Sequence, residues 1–259
     1  MALFDCKDVT FRYTGTREAN PTLSGVCLSI PHGCVFGIIG PNGSGKSTFL
    51  KCLYRSLNPT SGDIVFMDDA LSSYSTKRLA KRMAVVVQTE SASIPLTIRE
   101  YVRLGRAVYR NVFEGFTAKD ESIVDEALAE LGIEEIQNRP ITGISGGEYQ
   151  RTMLARALAQ QTDVLLLDEP TNHLDVFQQH KILQTVRKKN LSAVVVLHDL
   201  NLAARYCDYL AVLDDGAVVD TGTPNEILRA DLIEKVYRMS AKRFVVDDVL
   251  QLVMLPLES

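Results

Sequence analysis

The stretch "VFGIIGPNGSGKSTFLKCL", residues 35–53, decides the fold. A short apolar run ends at a glycine-rich turn, and a helical pattern follows at once. Gly40, Gly45, Lys46 and Ser47 occupy the fixed positions of G-x-x-x-x-G-K-[ST], with a strand before and a helix after as that motif requires. Glycines let a backbone wrap closely enough to aim its N–H groups at phosphate oxygens. The helix start adds a favourable field for anions. The expected nucleotide cradle is therefore Gly40, Pro41, Asn42, Gly43, Ser44, Gly45, Lys46, Ser47 and Thr48. Lys46 is suited to the β- and γ-phosphates, the Ser47 hydroxyl to Mg2+, and Thr48 to the α-phosphate.

Working outward, the N-terminal side alternates. Val9, Phe11 and Tyr13 fall on one face with Thr10 and Arg12 on the other, which predicts a half-buried strand. "LSGVCLSI" and "DIVFM" add further strands, so an antiparallel β layer accompanies the start of an α/β core. On the C-terminal side, "MAVVVQ" (residues 83–88) reads as a buried parallel strand. No good strand follows from 89 to 160. There, Thr97 and Glu100 have the shape of a capping box. Ile123, Ala127, Leu128 and Leu131 share one helix face, and Gly132 suits its C-terminal end. Residues 89–160 are thus expected to be a helical insertion between core segments 1–88 and 161–259. Strands return in "DVLLLDEP" and "SAVVVLHD", and "YLAVLDDGAVVDTG" is a hairpin with an Asp-Gly turn signal. One or two short helices and a terminal strand or two complete the chain.

Three strand ends carry polar chemistry. "VLLLDEP" delivers Asp168, suited to hold Mg2+ directly or through water, and Glu169, placed to polarise an attacking water. Parallel α/β sheets put their ligand sites at the carboxyl ends of strands. His198 and Gln88 end strands in the same way. The histidine is a candidate to contact the γ-phosphate and orient the water. The Gln88 amide is a candidate for Mg2+ or water and for linking nucleotide state to the helical insertion. A second anion device appears in "ISGGEYQR" (residues 144–151), where Ser145, Gly146 and Gly147 precede a strongly helical run.

Composition narrows the class. The chain has 259 residues, 46% hydrophobic and 23% charged, with a net charge of −4. The densest basic run, "KRLAKR", reads as a solvated helix face, so no nucleic-acid partner is expected. Five cysteines with no C-x-x-C pair argue for reduced thiols over disulfides or a zinc site. The start alternates instead of showing a basic then apolar leader, and no run of some 18 apolar residues occurs, so neither a signal peptide nor a spanning helix is expected.

In this order, the motifs resemble those of the nucleotide-binding subunits of ABC (ATP-binding cassette) transporters, over nearly the whole chain. The resemblance implies a P-loop NTPase (RecA-like) core with an antiparallel β subdomain and an inserted α-helical subdomain. It implies Tyr13 as the adenine-stacking residue, Gln88 as the Q-loop, "ISGGEYQR" as the signature, "HLD" ending at Asp175 as the D-loop, and His198 as the switch histidine. The signature reads Ile-Ser-Gly-Gly-Glu where Leu-Ser-Gly-Gly-Gln is the commonest family form. The resemblance further implies ATP and Mg2+ as ligands, with ATP hydrolysis as the activity. It implies a head-to-tail homodimer in which each ATP lies between one copy's phosphate loop and the other's signature. "IPLTIREYVRLGR" and "GTPNEILRADLIEKVYRM" narrow it to the ATPases of importers for iron-siderophores, haem and cobalamin. Such a subunit sits on the cytoplasmic face of the cell membrane, against integral-membrane permease subunits and, through them, a solute-binding protein. A soluble ABC ATPase of cofactor or Fe–S cluster assembly is the alternative.

Overall fold

A computed structural model describes residues 1–13, 21–87, 95–111, 114–172 and 174–257. Its strands are β1 (Ala2–Phe11), β2 (Leu23–Pro31), β3 (Val35–Ile39), β4 (Ser61–Phe66), β5 (Asp69–Ala70), β6 (Met83–Val86), β7 (Val164–Asp168), β8 (Ser192–Val196), β9 (Tyr209–Asp214), β10 (Ala217–Gly222), β11 (Met239–Val246) and β12 (Val249–Pro256). Its α-helices are α1 (Lys46–Leu53), α2 (Thr76–Ala80), α3 (Ile98–Arg103), α4 (Ala118–Leu131), α5 (Gly146–Ala159), α6 (Val176–Lys188), α7 (Leu200–Tyr206), α8 (Pro224–Ile227) and α9 (Ala230–Tyr237). The chain forms two compact units, Met1–Tyr74 with Asn190–Ser259, and Ser75–Lys189.

In the first unit, β2, β1, β4 and β5 make an antiparallel sheet in that order. A second set of strands has β3 between β8 and β9, parallel to both, with β10 folded back antiparallel on β9. All five β3 residues are buried, which is why the run is apolar without alternation. Val9 and Phe11 are buried as the alternation predicts, but Tyr13 is not in the strand. The β1–β2 ladder stops at the Phe11–Leu23 pair, two residues short of Tyr13. The Tyr13 ring instead packs edge-on to Phe11, 4.9 Å between centroids. The Asp-Gly signal makes the β9–β10 turn, with Asp215 and Gly216 both at positive φ (45° and 78°) as a type I′ turn demands. None of the five cysteines is in a disulfide, and burial pushes the thiols of Cys34 and Cys52 up to about 11, which suits inert reduced cysteines.

The second unit contains the parallel pair β6–β7, in register from Met83–Val164 to Val86–Leu167, together with α2 to α6. It is wider than the 89–160 segment because β6 and the end of α5 are tied together. The Gln160 side-chain amide donates to the carbonyls of Ala80 (2.5 Å) and Met83 (3.0 Å). Thr97 and Glu100 form the expected capping box at the start of α3. Ile123, Ala127, Leu128 and Leu131 line the buried face of α4, and Gly132 closes the helix at φ 62°. Among the described residues no helix is long and apolar enough to cross a membrane.

Candidate functional site

The phosphate loop lies wholly in the first unit, at the carboxyl end of β3. Gly40, Gly43 and Gly45 have φ of 149°, 82° and 96°. Gly40 is the most constrained, since a Cβ there would lie 2.0 Å from the Leu213 carbonyl oxygen and 2.9 Å from Ser44 Oγ. At Gly45 a Cβ would meet the Thr22 carbonyl at 2.8 Å. Pro41, Asn42 and Gly43 form the tip, with Asn42 and Gly43 exposed. Lys46 is buried at the start of α1, and its Nζ donates to the Gly40 (3.0 Å) and Pro41 (2.7 Å) carbonyls across the loop. Ser47 is half-buried beside it, and Thr48 is buried. Ser44 Oγ is buried and has no hydrogen-bond partner among the described residues. Buried polar groups are normally satisfied, so this hydroxyl inside a ring of loop backbone fits a site made for phosphate oxygens.

Two more expected residues join the loop in this unit. The Tyr13 hydroxyl lies 3.3 Å from Thr48 Oγ1, within hydrogen-bond distance, which places its ring beside the start of α1. The β3–β8 register pairs Ile38 with Val196, so His198 emerges two residues later, level with Gly40. His198 is exposed there, followed by Asp199, whose carboxylate caps α7 by accepting from the Asn201 (2.7 Å) and Leu202 (3.0 Å) amides.

The other motif residues lie in the second unit. β7 is buried along its whole length and ends on Asp168, only 4% exposed. Glu169 follows at φ 50°, a left-handed conformation disfavoured for a non-glycine residue and of the sort that clusters at functional sites. It turns the chain sharply at the strand end. Asn172, which the sequence reading did not single out, donates its side-chain amide to Glu169 Oε2. Asp175 caps α6 by accepting from the Gln178 amide at 2.9 Å.

Ser145 caps α5, and here Glu148 acquires a role. Its Oε2 accepts from the Ser145 N–H (2.7 Å) and the Ser145 hydroxyl (2.8 Å), while the Glu148 N–H donates to Ser145 Oγ (3.3 Å). This is a complete capping box. Hydrogen bonds from the Ser145 backbone and side chain hold the Glu148 carboxyl below its ordinary value, with Arg139 and Arg151 adding to the effect. Ser145 and Gly146 are exposed. The start of α5 lies against the Asp175 segment: a Cβ on Gly147 would stand 3.5 Å from Leu174, and Arg151 donates to Gln178 at 2.6 Å. Signature and D-loop residues are thus brought together within the unit. Gln88 and the His173 of "HLD" lie outside the described residues.

The comparisons agree with this geometry. The pattern of the family described as "ABC transporter" matches residues 23–172. A petrobactin import ATP-binding protein of Bacillus anthracis is 40% identical over 219 residues, 83% of this chain and 80% of that protein. A cobalamin import ATP-binding protein of Halobacterium salinarum is 40% identical over 237 residues, 90% of this chain. The chain spans only 58% of that relative's length. Among solved structures, a bacterial ABC transporter cassette determined as a dimer superposes with a TM-score of 0.76 at 31% identity, over 85% of this chain and 98% of that one. With the motifs in place on a P-loop NTPase fold, the chain belongs to the ABC transporter family.

Proposed function

We propose that this chain binds and hydrolyses ATP to power an ABC importer for a solute of the iron-siderophore, haem or cobalamin class. The observation that carries the reading is the phosphate loop, in which three positive-φ glycines, a buried Lys46 and a partnerless Ser44 hydroxyl surround the start of α1. The names of the import relatives favour this over a soluble assembly ATPase.

In this reading the loop N–H groups and Lys46 bind the β- and γ-phosphates, and Thr48 acts at the α-phosphate. Tyr13 stacks on the adenine. Ser47, Gln88 and Asp168 hold Mg2+, which supplies charge neutralisation at the phosphates. Glu169 takes the proton of the attacking water, and its left-handed turn fixes the direction from which it does so. His198 contacts the γ-phosphate. A second copy presents Ser145, Gly146, Gly147 and Asp175 to the same ATP, so binding closes the dimer and hydrolysis releases it. The 31%-identical cassette solved as a dimer supports this arrangement. Residues 89–160 form the helical body that Gln88 links to the nucleotide. The complex sits on the cytoplasmic face of the membrane, docked to permease subunits that receive solute from a solute-binding protein.

Glu169→Gln tests the core of the reading. The variant retains ATP binding, loses turnover and accumulates as a dimer in size-exclusion chromatography with MgATP. Adding Ser145→Arg returns it to monomer without abolishing nucleotide binding. Hydrolysis at the wild-type rate by Glu169→Gln removes Glu169 as the base, and a persistent dimer in the double variant removes the shared site.

A further inference from the structure

Strand β7 hands Glu169 to a tight turn, and that turn returns a side chain to it. The Asn172 backbone N–H donates to the Glu169 carbonyl at 3.2 Å, closing Glu169-Pro170-Thr171-Asn172. Within the same turn the Asn172 side-chain amide donates to Glu169 Oε2. The turn is anchored on both flanks. Ahead of Glu169, Asp168 is buried at the end of β7, and Pro170 and Thr171 are buried after it. Gln179, one turn into α6, donates its side-chain amide to the carbonyls of Thr171 (3.3 Å) and Leu174 (3.2 Å), on either side of Asn172. Asn172 itself is half-buried in this frame. All of these residues lie in the second unit.

A glutamate carboxylate hangs on a flexible side chain whose last torsion has a broad, two-fold well. Such a group is poorly aimed unless a fixed neighbour holds one of its oxygens. An amide donor does this without placing a positive charge beside a proton acceptor. We propose that Asn172 is a positioning residue for ATP hydrolysis: its side-chain amide holds the Glu169 carboxylate in the direction from which it takes a proton of the attacking water. The water oxygen bonds to the γ-phosphorus as the bond to the β-phosphate oxygen breaks, and the proton goes to Glu169. The amide transfers nothing and remains a donor throughout. The inference deepens the reading of Glu169 as the base and rests on it.

Two substitutions test it on the full chain. Asn172→Ala removes the donor, and Asn172→Asp keeps the shape while setting a second carboxylate against the first. With the base present but poorly aimed, the alanine variant should lose about tenfold in kcat for ATP hydrolysis, and the aspartate variant more. KM for ATP and the affinity for MgADP should stay within about twofold of wild type, since neither change alters the phosphate loop. An asparagine that only stabilises its turn gives a different pattern: a lower melting temperature with kcat unchanged, or kcat and nucleotide affinity falling together. Either pattern, an aspartate variant at least as active as the alanine one, or failure of both variants to fold overturns the inference. Glu169→Gln run in parallel separates the two levels. If it hydrolyses at the wild-type rate, the reading of Glu169 as the base fails and the inference with it. If it is inactive while Asn172→Ala keeps kcat within about twofold of wild type, only the role of Asn172 falls.

Discussion

Replacing Glu148 by alanine tests whether the signature helix is held by its own capping box. The carboxylate accepts two hydrogen bonds from Ser145, at 2.7 and 2.8 Å. Ser145 is exposed, so water takes over both donors after truncation, and the loss falls in the lower part of the capping range, about 0.5–1 kcal/mol. The variant also loses a negative charge in the first turn of a 14-residue helix, worth a further ~0.3–1 kcal/mol at low salt. Glu148→Ala should therefore cost roughly 0.8–2 kcal/mol. Glu148→Gln keeps the box and loses only the charge, so it should cost about 0.3–1 kcal/mol. Urea unfolding followed by circular dichroism reads the difference as a shift in midpoint at constant slope. In about 1 M salt, where the Debye length falls to about 3 Å, the glutamine variant should become indistinguishable from wild type while the alanine variant stays weaker. The folded carboxyl titrates below its ordinary value of 4.5, so its contribution is complete above that value and is lost as pH falls through the lower folded one. The gap between wild type and Glu148→Ala should accordingly narrow in acid to that between Glu148→Gln and Glu148→Ala. Equal destabilisation by alanine and glutamine, or a gap that vanishes in acid, would refute the box as the holding interaction.

Two further predictions concern the framework around the site. Asp120 is 1% exposed and accepts from Arg106 Nε (3.0 Å), from the Thr117 N–H (2.9 Å) and hydroxyl (2.7 Å), and from Arg110. Asp120→Asn leaves Arg106 buried beside a neutral group and should cost about 3–5 kcal/mol in chemical denaturation. Burial raises the Asp120 pKa, but the hydrogen bonds from Thr117 and Arg106, with Arg110 beside them, hold it well below the ordinary 3.8. That stability is present above 3.8 and should be lost only in strong acid, visible as wild type and Asp120→Asn converging there. In the phosphate loop, Gly40→Ala would set a Cβ 2.0 Å from a backbone oxygen, whereas one on Gly43 meets nothing within 4 Å. Gly40→Ala should lower stability by at least about 2–3 kcal/mol and Gly43→Ala by about 1–2, the left-handed penalty alone, so thermal melts should rank them in that order. Equal losses would mean the loop relaxes away from Leu213.

What the sequence made legible is what neighbouring residues decide between themselves. Strand β3, the glycine turn and α1 follow from adjacent residues, as do the Thr97–Glu100 box and the Asp215–Gly216 turn. The Asp247–Asp248 turn between β11 and β12 has the same positive φ pair, 49° and 59°, but no glycine marks it, so its two strands read as one or two. Glu148 is the instructive case, because its signal was present. Ser145-x-x-Glu148 is the same box as Thr97-x-x-Glu100, yet the first was read for its phosphate chemistry and the second for its helix. Once the box is recognised, the chemistry of the signature changes in detail. The Ser145 hydroxyl proton already points to Glu148, and the Glu148 N–H is taken by Ser145. The helix-start donors left without an intrahelical acceptor are the N–H groups of Gly146 and Gly147. In the proposed dimer an incoming phosphate would therefore meet backbone amides first. It would gain the serine hydroxyl only by drawing its proton away from a carboxylate, a competition in which glutamine, being uncharged, would be the weaker rival.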